Sequence, residues 1–134
     1  MNTFPLKIVT PDGMEYDGHV EELIVRTTTG DIGILAGHVN CVAPLGMGRA
    51  TIVANGKRRY AACIGGMLSV VNGTVTLVPT TFEWSDEIDA DRAEASYQRA
   101  QKILQDRNAS KTEIKLAEAR LRRALVRKSI VSSK

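Results

Sequence analysis

After Trp84 this chain contains no glycine and no proline, although it carries 11 glycines and 4 prolines before that point. Both residues punctuate turns and strand ends, so their abrupt loss divides the chain into a segmented part and an uninterrupted one. In the first part, short β-branched runs stand between Gly, Pro, Asn or Asp: Leu6-Lys7-Ile8-Val9, Glu22-Leu23-Ile24-Val25, Ala50-Thr51-Ile52-Val53 and Thr74-Val75-Thr76-Leu77-Val78. Such runs read as strands. Asn55-Gly56 and Asn72-Gly73 each separate two of them. Asn-Gly favours a type I′ hairpin turn, because both central residues need positive φ and these two tolerate it best. No helical pattern intervenes, so residues 1–86 are expected to form an antiparallel β-sandwich or barrel.

The second part, residues 87–134, is rich in Ala, Arg, Glu, Lys, Gln and Leu, which favour helix. Ser85 or Asp86 can cap a first helix whose Ala93, Tyr97, Ala100, Ile103 and Leu104 fall on one face. The pattern breaks around Arg107-Asn108-Ala109, and Ser110-Lys111-Thr112-Glu113 reads as a capping box that starts a second helix. Its apolar face would be Ile114, Ala117, Leu121, Ala124 and Leu125. Two antiparallel helices meeting through alanines approach closely but bury little apolar area, so this hairpin is expected to be marginal and mobile.

Charge follows the same division. Residues 1–87 hold six Lys/Arg against nine Asp/Glu, and residues 88–134 hold twelve against six. A basic hairpin could serve nucleic acid, but aromatic residues make up only 4% of the chain and stacking platforms are lacking. A membrane-surface anchor would carry Trp, Phe and Leu on its apolar face rather than Ala. No apolar stretch approaches the length of a membrane span, and the start lacks the features of a signal peptide, so a cytoplasmic protein is expected. Cys41 and Cys63 sit in apolar segments without metal or redox spacing and read as reduced thiols. His19 and His38 are the only imidazoles, with neither triad-like nor metal-ligand neighbours in sequence, and no Gly-x-x-x-x-Gly-Lys-Ser/Thr loop is present. A stand-alone enzyme is the least supported class, and no required cofactor or metal is expected.

Several segments, in order along the whole chain, resemble one family. Val9-Thr10-Pro11-Asp12-Gly13, the long loop Gly30-Asp31-Ile32-Gly33-Ile34-Leu35-Ala36-Gly37-His38, Ala43-Pro44-Leu45-Gly46, Gly65-Gly66-Met67-Leu68 and Ile88-Asp89-Ala90-Asp91-Arg92-Ala93 are similar to motifs of the bacterial epsilon subunits of F-type ATP synthases. Ala36, where many relatives carry Pro, and Pro79-Thr80-Thr81-Phe82, where an acidic segment is commoner, depart from the pattern.

The resemblance implies a non-catalytic rotor subunit on the cytoplasmic face of the bacterial plasma membrane. Its sandwich would bind the gamma subunit of the central stalk and the c-subunit ring, and membrane association would come only through the complex. When extended, its helices would reach the alpha/beta catalytic head and restrain ATP hydrolysis. Asp31 and His38 are candidate rotor contacts, set against a reading as an ordinary Asp-capped surface turn.

In the hairpin, Arg92 and Arg99 lie two turns apart on one helix, and Arg123 and Arg127 one turn apart on the other, so an antiparallel pair would let them converge. The resemblance makes Ile88, Asp89, Arg92, Ala93, Arg99, Arg123 and Arg127 candidate positions for ATP as a regulatory ligand bound without hydrolysis, with Asp89 accepting from adenine or a ribose hydroxyl. The alternatives are that the arginines form a solvated face, or that they pair with carboxylates of the catalytic head when the hairpin extends.

Overall fold

The computed structural model describes residues 2–132. The chain divides into two compact units after Trp84, slightly before the boundary expected at residue 86.

The first unit contains β1 (Phe4–Thr10), β2 (Gly13–Val20), β3 (Glu22–Thr27), β4 (Gly30–Ile34), β5 (Cys41–Pro44), β6 (Met47–Ala54), β7 (Lys57–Val71) and β8 (Thr74–Trp84). They run in the order β2-β1-β8-β7-β6-β3-β4, with β5 paired to β7. The predicted turns are present: Asn55 and Gly56 have φ of 55° and 72°, and Asn72 and Gly73 have 49° and 83°. One pairing departs from the expected antiparallel pattern. The first and last strands lie side by side and are parallel, with Leu6, Lys7 and Ile8 opposite Val75, Thr76 and Leu77. A parallel pair needs a long connection, and the whole intervening sandwich provides it.

Closure of the sandwich depends on a corner in β7. Before it, β7 pairs with β6 as far as Met47 opposite Ile64; after it, β7 pairs with β5 from Pro44 opposite Met67. Gly65 and Gly66, with φ of 68° and 102°, make the corner between them. Backbone bonds pin it, from Gly65 N to Gly46 O (3.0 Å) and from Leu45 N to Gly66 O (2.8 Å). Pro79 lies opposite Gly66, where the broken ladder leaves little use for its missing N–H. Alternate side chains from the strands then fill one core, including Leu6, Ile8, Leu23, Val25, Ile34, Leu68 and Leu77, all inaccessible to solvent. Trp84 closes one end, edge-on to Phe82 at 4.9 Å and capped by the Arg59 guanidinium at 3.7 Å.

The second unit begins with a single 3₁₀ turn, Ser85–Glu87, followed by α1 (Ala90–Gln105) and α2 (Lys111–Ser132). The predicted cap at Ser85 or Asp86 is not used. Those residues form the 3₁₀ turn, and Asp89 caps α1 by accepting the Arg92 amide at 3.1 Å. The predicted capping box is formed in both directions, Glu113 N to Ser110 Oγ and Ser110 N to Glu113 Oε1, each at 3.1 Å. Ala93 and Ala100 are the buried residues of α1, and Ala117, Ala124 and Ile130 are buried on α2. Tyr97, Ile103, Leu104, Ile114 and Leu121 are half-buried along the same faces. Leu125, expected on the inner face, is instead exposed: the seam steps from Ala117 through Leu121 to Ala124 and Lys128, and Leu125 is rotated about 100° past Ala124.

Candidate functional site

The hairpin has two polar flanks, and the candidate arginines lie on only one of them. A short connection returns α2 beside α1, and Lys128 Nζ meets Glu94 Oε2 at 2.6 Å. The pair is therefore antiparallel, with Glu94 and Lys128 level. Lys128 Nζ also lies 4.0 Å from the centre of the Tyr97 ring. Gln98 Nε2 donates to the other carboxylate oxygen of Glu94 at 3.0 Å, and Gln101 Nε2 donates to the Tyr97 hydroxyl at 2.8 Å. Hydrogen bonds from Lys128 and then Gln98 hold the Glu94 carboxyl below the usual carboxylate range.

The arginines occupy the opposite flank. Arg92 and Arg99 each precede a buried alanine of α1, and Arg123 precedes Ala124 on α2. In an antiparallel pair of right-handed helices, the positions one residue before each seam position face the same side. Arg127, three residues after Ala124, falls there too. Counting rise from the Glu94–Lys128 contact, Arg99 and Arg123 each lie five residues, about 7.5 Å, toward the helix connection, and so fall in the same part of the pair. Arg92 and Arg127 differ in height by about 4.5 Å by the same count. Arg92 and Arg99 are exposed, and Arg123 and Arg127 half-buried. A guanidinium group is a planar donor fork matched to phosphate or carboxylate oxygens. The remaining candidates differ in kind. Ile88 and Ala93 are buried, and Asp89 already uses Oδ1 as the cap of α1. Among the described residues no group of three or more His, Cys, Asp or Glu is placed to hold a metal ion.

On the sandwich, Asp31 and His38 are not brought together. Asp31 is the second residue of β4, beside the β3–β4 turn, His38 follows the far end of that strand, and the stretch from Asp31 to Ile34 spans about 10 Å. Asp31 Oδ1 pairs with Arg26 Nε at 3.3 Å, and His38 Nδ1 lies 2.8 Å from Val39 O. The Arg26 stem runs over Gly48, where a Cβ would fall 2.6 Å from Arg26 Cβ.

The sequence gives no hint of an apolar stripe that the register creates. Pro44 lies opposite Met67, and Met67 opposite Val78, so β5, β7 and β8 present a continuous outward row. Met67, Val78 and nearby Val42 are 43%, 48% and 65% exposed, a contiguous group rather than scattered single residues. No described helix is long and apolar enough to cross a membrane.

Residues 3–85 match the family described as ATP synthase, Delta/Epsilon chain, beta-sandwich domain, and residues 86–131 match its long alpha-helix domain. The chain is 41% identical to the ATP synthase epsilon chain of Ruminococcus albus over 135 residues, covering 100% of both. It is 41% identical to that of Bacillus pumilus, covering 97% of this chain and 98% of the relative. A chain in the cryo-EM structure of Euglena gracilis mitochondrial ATP synthase (OSCP/F1/c-ring) shares the fold with a TM-score of 0.85 at 22% identity, covering 95% of this chain and 80% of that one. Another, from the Tetrahymena thermophila mitochondrial ATP synthase central stalk/c-ring, gives 0.63 at 11% identity, covering 95% of each. The strand order, the two-unit division and the full-length similarity agree, and this chain belongs to the delta/epsilon chain family of ATP synthases, as a bacterial epsilon chain.

Proposed function

We propose that this chain is a non-catalytic subunit of the central stalk that couples ion-driven rotation to ATP synthesis and restrains ATP hydrolysis through its C-terminal helices. In this reading the stripe of Pro44, Met67 and Val78 docks on the gamma subunit, and the Asp31 and His38 segments face the c ring. The complex lies at the cytoplasmic face of the plasma membrane. The helices alternate between the closed hairpin and an extended form in which the arginines meet carboxylates of the alpha/beta head.

The observation that carries this reading is the alanine seam. Ala93, Ala100, Ala117 and Ala124 are the buried alanines between the helices, and each methyl contributes only about 0.8 kcal/mol. Beside them Tyr97, Ile103, Leu104, Ile114 and Leu121 stay half-buried, and Ile130 near the end of α2 is the larger side chain that is fully buried. Opening the pair therefore exposes little apolar surface, and a modest ligand or partner can decide its state.

Binding of ATP across Arg92, Arg99, Arg123 and Arg127 would favour the closed pair. At a concentration equal to its dissociation constant a ligand stabilises the bound state by about 0.4 kcal/mol, and at a hundredfold excess by about 2.7. Such a bias matters only if the two states are nearly balanced, as an alanine seam permits. The test is the hydrolysis rate of the assembled enzyme when residues 87–134 are deleted. The rate is expected to rise with assembly intact, and an unchanged rate would remove the inhibitory role.

A further inference from the structure

An alanine seam specifies the axial register of two helices weakly, because small, similar side chains offer few distinct knobs and holes. The arginine flank, however, works as a unit only in one register: a slip of one turn would move Arg123 and Arg127 about 5.4 Å past Arg99 and Arg92. The short connection limits such a slip at one end of the pair, and toward the other end the polar contacts of the opposite flank converge on one side chain. Lys128 Nζ is bound at 2.6 Å to Glu94 and sits 4.0 Å over Tyr97, residues three apart on α1. Gln98 and Gln101 hold these two partners from the next turn, so the receptor for the ammonium is itself oriented. The ammonium is thus held at two points on α1, and an axial slip would break both.

The geometry points to Lys128 as the positioning residue of the hairpin: it does not face the arginine flank, but pins the register that makes Arg92, Arg99, Arg123 and Arg127 one anion-binding surface. This rests on the reading of that flank as a triphosphate site, and it divides the hairpin's two tasks between its two flanks. Lys128 also completes a charge-assisted bond, which is directional, whereas the alanine contacts are not.

The test is titration calorimetry of the full chain with MgATP, read beside amide hydrogen exchange of residues 111–132. Lys128→Met keeps the stem and is expected to weaken binding about three- to tenfold without touching an arginine, while speeding exchange in α2. Lys128→Arg, which keeps both the carboxylate bond and the ring stack, is expected to bind like the parent chain. Lys128→Met also removes a positive charge, so the charge-neutral reversal Glu94→Lys with Lys128→Glu is the control. It is expected to bind more tightly than Glu94→Lys alone, because the pair is re-formed. Ser110→Ala loosens α2 at its far end without affecting the pin. At matched exchange rates it should weaken binding less than Lys128→Met.

Unchanged affinity in Lys128→Met, with binding lost in Arg92→Ala, would overturn the register role while leaving the arginine site standing. Binding that survives Arg92→Ala and Arg123→Ala would remove the arginine site instead. Exchange in α2 then decides on Lys128 alone: equal protection in Lys128→Met and the parent chain would overturn the pin.

Discussion

Two positions in β7 show how far single residues bind this fold to its function. Gly66 stands at the corner where β7 changes partners, and a Cβ there would lie 2.0 Å from Val78 O at a φ of 102°. Neither the clash nor the dihedral can be relieved by a side-chain movement, since the obstacle is backbone. Gly66→Ala is expected to destabilise the sandwich by about 3 kcal/mol, combining strain and overpacking, and a urea titration of the chain would read it. Gly56, by contrast, has φ of 72° but open space around its missing Cβ, so only the dihedral penalty applies. Cys63, close to the same corner, is buried, which pushes its thiol up to about 12. Below the ordinary thiol range both states are protonated and the folded chain loses nothing. Above about 9 the unfolded thiol ionises while the buried one does not, so stability falls as pH rises from about 9 toward 12, by at most about 1.4 kcal/mol per pH unit. Cys63 should stay inert to thiol reagents at pH 8 in the folded chain while half-buried Cys41 reacts first, as timed labelling would show.

At the scale of elements, the helices were legible where a local rule decides and illegible where register does. Ser110 and Glu113 announce their capping box by spacing alone, and the structure forms it. The start of α1 was misplaced because Ser85, Asp86 and Asp89 all have capping side chains, and only the 3₁₀ turn that absorbs the first two leaves the role to Asp89. Leu125 was misplaced because an apolar residue next to the seam fits a loose helical pattern, while the true seam continues to Lys128. The arginines could be read as neighbours along each helix. That Glu94 and Tyr97 meet Lys128 across the helices needs the register, which no sequence interval encodes. The cap predicts that Ser110→Ala destabilises the hairpin by about 1 kcal/mol, visible as earlier loss of helical signal on heating. Glu94 adds an acid dependence. Its carboxyl is held below the usual range in the closed pair, so its contribution is present above that range and lost as pH falls through the lowered value. Protection of α2 amides, taken relative to their intrinsic exchange rate at each pH, should therefore fall as pH drops below the usual carboxylate range in the parent chain, and this dependence should diminish in Glu94→Gln.

For the whole molecule, the division after Trp84 separates a sandwich from a helix pair of a different construction. The sandwich gathers eight strands around one core of Leu, Ile and Val and seals its corner with backbone bonds. Strand content and the Asn-Gly turns were readable from the sequence, because period and turn chemistry are local. The parallel meeting of β1 with β8 and the stripe of Pro44, Met67 and Val78 were not, since both arise from pairing strands far apart in the chain. The sandwich alone should fold when residues 87–134 are removed, with its thermal transition retained. The hairpin should open as a unit at much lower free energy than the sandwich. Amide hydrogen exchange of the full chain, followed element by element with and without saturating MgATP, tests this most directly. The amides of α1 and α2 are expected to exchange together, far faster than the central amides of β7 and β8, and MgATP is expected to slow the helices while leaving the strands unchanged. Helix amides as protected as the strands, with no response to MgATP, would contradict it.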